Sequence, residues 1–143
     1  MKRVLVATDG SSSAGRALDV AARLAADSQA ELAILTAAQL RVSPELKEFG
    51  RAESLATSEI QELEASSILS KAQARATDVG IKKVTTLARQ GDPAEAILSA
   101  AQELRADVIV MGRRGRGRLE GLLLGSVSQK VVSLAPCAVM TVP

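Results

Sequence analysis

Histidine, tryptophan and tyrosine are all missing from this sequence, and Phe49 is its one aromatic residue. Without histidine there can be no Ser-His or Cys-His nucleophile pair and no imidazole metal site. Without aromatics there is no platform on which bases of a single-stranded nucleic acid could stack. Cysteine occurs once, at Cys137, so an internal disulfide is excluded. No apolar run approaches membrane-spanning length. The start, Met1-Lys2-Arg3-Val4-Leu5-Val6-Ala7-Thr8-Asp9, reaches an acid too soon for a secretory signal. Together these absences lead us to expect a cytoplasmic protein.

What remains is aliphatic. Apolar residues make up 47% of 143 positions, enough for one domain spanning residues 1–143 with a core of Ala, Val, Leu and Ile. The net charge is only +2, yet four arginines fall between positions 113 and 118. A small overall excess of cations does not imply a polyanionic partner. Their clustering does ask for a reason.

Short apolar runs alternate with helical periodicity along the chain. Arg3 to Thr8, Ala30 to Ala38, Ile81 to Leu87, Asp107 to Met111 and Cys137 to Val142 read as strands. Between them lie four helical stretches. One follows Ser11 to Ser13. A long one spans Arg51 to Asp78, with Ala52, Ala56, Ile60, Leu63, Ala72, Ala76 and Val79 on one stripe and Gly80 at its end. A third is capped by Asp92 with Pro93 at its first position, and the last begins near Ser126. Residues 39 to about 50, with Pro44 and Gly50, read as irregular. This order predicts an α/β fold: a single doubly wound parallel sheet with helices on both faces.

In such sheets ligands bind beyond the carboxyl ends of the strands, where the winding reverses. Two strand ends carry polar equipment, Thr8-Asp9 and Met111-Gly112. If those strands are neighbours, both face one crevice. Glycine at 112 and 115 would allow positive φ and bring N–H groups close to an anion. Gly125-Ser126 opens a helix whose free N–H groups favour phosphate. Two readings fit these residues equally: a phosphate cradle, or a turn with Ser126 as helix cap. Asp9 likewise fits either a ligand role or the cap of the first helix. The P-loop pattern fails, because Arg118-Leu119 follows Gly117 where Lys-Ser/Thr is needed. A dinucleotide fingerprint starting at Gly115 breaks at Glu120.

Gly112-x2-Gly115-x9-Gly125-Ser126 matches the signature of the ATP-binding branch of the universal stress protein family. The start from Val4 to Ser11, Gly91-Asp92-Pro93 and the closing Pro136 to Val142 resemble that family too, so the likeness covers essentially the whole chain. The resemblance implies a five-stranded sheet of order 3-2-1-4-5, a homodimer joined through the closing strands, and a role as an ATP-binding sensor in the stress response. It implies ATP, with Mg2+ as its accompanying ion, across the ends of strands one and four. Thr8, Ala37 and Met111 would line the adenine pocket, and Asp9 would lie near the ribose or a phosphate-bound metal. Gly112 and Gly115 would approach ribose and phosphates, and Gly125, Ser126 and Val127 would receive the phosphate tail. Arg114 departs from the family, whose members often have histidine there.

Two other functions compete. The arginine cluster would give salt-sensitive nucleic-acid affinity, but no interleaved aromatics or extended basic face accompany it. Slow ATP hydrolysis or phosphoryl transfer could use Asp9 as a metal ligand, but no base stands near the phosphates in the motif. No residue is singled out as catalytic. The glutamates of the long helix, Glu53, Glu59, Glu62 and Glu64, read as a solvated face.

Overall fold

A computed structural model describes residues 1–38, 51–81, 83–114 and 123–143, with the backbone alone at 38 and 51–57. Phe49, the stretch around Pro44 and Gly50, and Gly115 with the remainder of the arginine loop lie outside the described residues. Ala52 and Ala56 are described only as backbone.

The elements are β1 (Arg3–Ala7), α1 (Ser12–Asp27), β2 (Glu31–Ala38), α2 (Arg51–Thr77), β3 (Val84–Gln90), α3 (Pro93–Leu104), β4 (Val108–Gly112), α4 (Ser126–Leu134) and β5 (Ala138–Val142). The five strands form one parallel sheet in the order β3-β2-β1-β4-β5, as expected. Alternation along each strand divides the core in two. Val4, Val6, Leu32, Ile34, Val108 and Val110 face α1 and α2. Leu5, Leu35, Ile109 and Met111 face α3 and α4 through Ile97, Ala101 and Val131. Small residues such as Ala17, Ala21 and Ala25 let α1 lie close on the sheet. Burial of this kind is worth roughly 25 cal/mol per Å² of apolar surface, which is how an aromatic-poor chain still makes a core. Cys137 packs at the rim of the second core, where burial pushes its thiol pKa up.

Three expectations need correction. β3 begins at Val84 and runs to Gln90, three residues later than the apolar run suggested. Gly80, at φ +82°, turns the chain out of α2 ahead of the sheet edge. Pairing with β2 from Leu32–Val84 to Ala38–Gln90 then sets the register. The side chains of Ala88, Arg89 and Gln90 are exposed, as an edge strand tolerates.

The apolar stripe of α2 is also phased differently. Ala65, Leu69, Ala72 and Ala76 are buried, whereas Ile60 and Leu63 are 57% and 70% exposed. A helix of 27 residues is about 40 Å long, against about 26 Å for the eight-residue β2. The N-terminal turns of α2 therefore overhang the carboxyl ends of the strands. There Gln61, one turn before Ala65, continues the inward-facing stripe.

The third concerns Gly112. It is the last residue of β4 and does not have positive φ; Gly10, Gly80 and Gly91 do. Its lack of a side chain serves close packing instead. A Cβ there would stand 2.5 Å from Ser13 Oγ, 3.1 Å from Ser13 C and 3.2 Å from Ala14 N.

Candidate functional site

β1 and β4 are adjacent and parallel, so the reversal of winding falls between them. Their ends open into a crevice of about 640 Å³ that reaches across to the end of β2. That volume is ordinary for a small-molecule site.

The floor on the β1 side is a tight turn. Thr8 N–H donates to Leu35 O at 2.8 Å, tying the turn to β2. Thr8 Oγ1 accepts from Gly10 N–H at 3.2 Å, and Asp9 Oδ1 accepts from Ser11 N–H at 2.9 Å. Gly10, at φ +81°, permits the fold-back. Ser11 is the N-cap of α1, its hydroxyl accepting from Ala14 N–H at 3.2 Å. The capping role open to Asp9 in sequence thus belongs to Ser11. Asp9 Oδ2 has no hydrogen-bond partner among the described residues.

The β4 side is built from backbone. Gly125 N–H donates to Arg113 O at 3.0 Å, and Arg113 N–H donates to Val142 O at 2.7 Å. Ser128, buried, donates its hydroxyl to Gly112 O at 3.0 Å and Arg113 O at 3.1 Å. These bonds fix where the loop leaves the strand and where α4 begins. Gly125 is the N-cap of α4, with no side-chain cap bond, and Ser126 is the first helical residue. The first intrahelical bond runs from Gln129 N–H to Gly125 O, 2.9 Å. The N–H groups of Ser126, Val127 and Ser128 consequently have no partner among the described residues, and all three residues line the crevice. Three open donors at the positive end of a helix dipole are an arrangement suited to an anion. Arg114 also lines the crevice, and its Nε is buried without a partner among the described residues.

Of the residues singled out in sequence, Thr8, Asp9, Ala37, Met111, Gly112, Gly125, Ser126 and Val127 all line this one crevice. Gly115 lies outside the described residues. Sequence reasoning missed Ser128, whose spacing of three from Gly125 could have marked it as facing back toward the loop. It also missed Gln61, Glu64, Ala65 and Ile68, which reach the crevice from α2. Their spacing of three, four and seven places them on one helix face. A second hollow, about 580 Å³, lies between α2 and β3 and shares Gln61 and Ala65, but holds none of the motif residues.

Among the described residues no three metal-ligating side chains cluster, and no helix is long and apolar enough to cross a membrane.

The universal stress protein family model matches residues 1–143. The chain belongs to that family. It is 37% identical to universal stress protein YxiE of Bacillus subtilis over 145 aligned residues, covering 98% of this chain and 97% of that protein. The structure of universal stress protein UspA from Lactobacillus plantarum superposes with a TM-score of 0.85 at 25% identity, covering 99% and 97% of the two chains. A universal stress protein solved in complex with cAMP superposes with a TM-score of 0.74 at 31% identity, covering 99% and 95%.

Proposed function

We propose that this universal stress protein binds ATP in the crevice between β1 and β4 and acts as a homodimeric, cytoplasmic nucleotide sensor. The reading rests on one observation above the others: three unpartnered N–H groups at the tip of α4 share a crevice with Asp9 and Arg114. Such an arrangement suits a phosphate chain at the β4 side. The relative that carries cAMP supports an adenine nucleotide as the ligand class. Thr8, Ala37 and Met111, at the ends of β1, β2 and β4, offer a small, mostly apolar seat for a base, and Gly112 lets α1 and β4 close behind it. On the motif, Gly115 would join the contacts to ribose and phosphates.

Magnesium fits the residues present. It is commonly held by one or two carboxylates together with phosphate oxygens. Asp9 uses one oxygen on Ser11 and has the other unpartnered among the described residues, so it would be the carboxylate that meets a phosphate-bound ion. The ion would neutralise phosphate charge.

Dimerisation would run through β5, which pairs with β4 on one side only. Filling of the crevice would then be felt at this edge. Arg113 N–H and Ser13 Oγ, at 2.7 and 3.3 Å, both bond Val142 O in β5.

Isothermal titration with ATP and Mg2+ tests the reading. We expect saturable binding at or below millimolar ATP; a flat titration there overturns it. Phosphate release followed over hours, with Asp9→Ala as control, separates binding from slow hydrolysis. Titration with single-stranded RNA at two salt concentrations tests the arginine loop as a nucleic-acid grip.

A further inference from the structure

The overhanging turns of α2 are built inside out. Ile60 and Leu63 point to the exterior, while Gln61 and Glu64 line the crevice beside Ala65 and Ile68. Glu64 is itself exposed and Gln61 half-buried, so the exchange leaves apolar surface wet and encloses one polar atom of the Gln61 amide. Local rules are broken in this way where a ligand supplies the compensation. The sharpest sign is the Gln61 amide. Its Oε1 is buried with no hydrogen-bond partner among the described residues. An enclosed acceptor of this kind is costly unless a donor arrives to meet it.

The donor's place in the crevice can be read from the topology. α2 packs on β2 and β3, and α4 follows β4. Gln61 therefore lines the β2 side of the crevice that it shares with Thr36 and Ala37, and β1 lies between β2 and the strand β4 that leads to the α4 tip. A nucleotide with its phosphates at α4 would bring its base to Gln61. In the adenine nucleotide that the cAMP-bound relative suggests, the donor is the exocyclic 6-amino group, flanked by acceptor nitrogens. A primary amide offers one acceptor and one donor side by side and matches that edge in two bonds.

We propose that Gln61 is the base-reading residue of this crevice, its buried Oε1 accepting a hydrogen bond from the 6-amino group of adenine. The inference rests on the nucleotide reading above and extends it from phosphate binding to base selectivity.

The experiment compares three ligands on the full chain by isothermal titration: ATP, the triphosphate of purine riboside, which lacks the 6-amino group, and inosine triphosphate, which carries an oxygen there. The unaltered protein should bind ATP about tenfold more tightly than purine riboside triphosphate, the scale of one hydrogen bond to a buried acceptor. Gln61→Leu removes both amide bonds from ATP but only the Nε2–H bond from purine riboside triphosphate, so it should weaken ATP about tenfold more than the analogue and the preference should disappear. Gln61→Glu keeps an acceptor without a donor. It should retain the preference for ATP and discriminate further against inosine triphosphate, whose 6-oxygen it would repel. The variants' thermal unfolding is recorded alongside; should Gln61→Leu fail to fold, the Gln61→Glu ratio decides alone. If ATP and purine riboside triphosphate bind the unaltered protein equally, or Gln61→Leu leaves their ratio unchanged, the assignment is wrong while nucleotide binding stands. If none of the three ligands binds, the nucleotide reading falls, and the role of Gln61 falls with it.

Discussion

Gly112 and Ser13 are in such close contact that a methyl group on Gly112 would lie 2.5 Å from the Ser13 hydroxyl oxygen. The hydroxyl can rotate away, but Ser13 C at 3.1 Å and Ala14 N at 3.2 Å cannot without moving α1. Gly112→Ala should therefore destabilise the protein by roughly 1–3 kcal/mol, the usual cost of overpacking. Ser13→Ala in the same chain should recover only part of that loss, because the backbone contacts remain. Urea denaturation of the two variants checks this. Full recovery in the double variant would show that the hydroxyl alone sets the limit.

Ser128 ties the first turn of α4 to the end of β4 through Gly112 O and Arg113 O. Ser128→Ala leaves both carbonyls without that donor in a buried setting. We expect a loss of about 1–2 kcal/mol in unfolding free energy. Because the same bonds hold the proposed anion site against the strand, ATP affinity should fall as well. A variant with lowered stability and unchanged affinity would mean that the α4 tip is positioned by other contacts.

Asp9 has a structural duty, its bond to Ser11 N–H, and a proposed duty toward a phosphate-bound ion. Asp9→Asn separates them, since the amide oxygen can still accept from Ser11 while the charge is gone. Stability should change by no more than about 0.5 kcal/mol. The gain in ATP affinity on adding Mg2+ should shrink or vanish. An Mg2+ dependence identical to that of the unaltered chain removes Asp9 from the ion's surroundings.

The parallel sheet, its flanking helices and the convergence of eight of the nine singled-out positions on one crevice were legible in sequence. Each is carried by local chemistry: continuous apolar runs for buried strands, Asp92-Pro93 for a helix start, Gly125-Ser126 for an open helix tip. What escaped depends on relations between distant segments. The role of Gly112 is set by α1, about a hundred residues away, so its letter is compatible with a φ it does not adopt. Gln61 was not singled out, because the length of α2 relative to the sheet decides which face is enclosed. β3 was misplaced for a similar reason, its register being dictated by β2 and not by its own hydropathy.

Asp92 caps α3, accepting from Glu95 N–H at 3.0 Å, with Lys130 Nζ at 3.4 Å. The backbone bond first, and the ammonium second, hold its carboxyl below the usual range. The unfolded chain therefore binds more protons than the folded one in that window, and stability rises with pH across it. The contribution is complete above about pH 5 and is lost as the pH falls through the lowered folded value. Asp92→Ala should cost about 1 kcal/mol at neutral pH, as for other N-caps. Asp92→Asn, which keeps a capping oxygen, should cost less and should flatten the acid limb of a stability-against-pH curve. The ion pair itself adds little, both side chains being 41% exposed. An acid limb unchanged in Asp92→Asn would assign it to other carboxylates, of which Asp107, bonded by Lys2 and Arg3 N–H groups, is the next to test.

β5 is an edge strand with an apolar border: Met140 is 39% exposed, and Val132 and Leu134 on neighbouring α4 are 47% and 61% exposed. Open edges of this kind need a cover or a charge to stop uncontrolled pairing, and neither is present among the described residues of the strand. A second copy meeting the same edge about a two-fold axis would cover both borders at once. Light scattering at micromolar concentration should then give about twice the 14.9 kDa chain mass. Met140→Lys would place two ammonium groups near the axis and desolvate them, shifting the mass toward one chain. The crevice opens at the strand ends, away from the Met140 side chain, so ATP binding by the monomer should persist. A single-chain mass in the unaltered protein would exclude the edge as a dimer interface. A dimer indifferent to Met140→Lys would move the interface elsewhere on the surface.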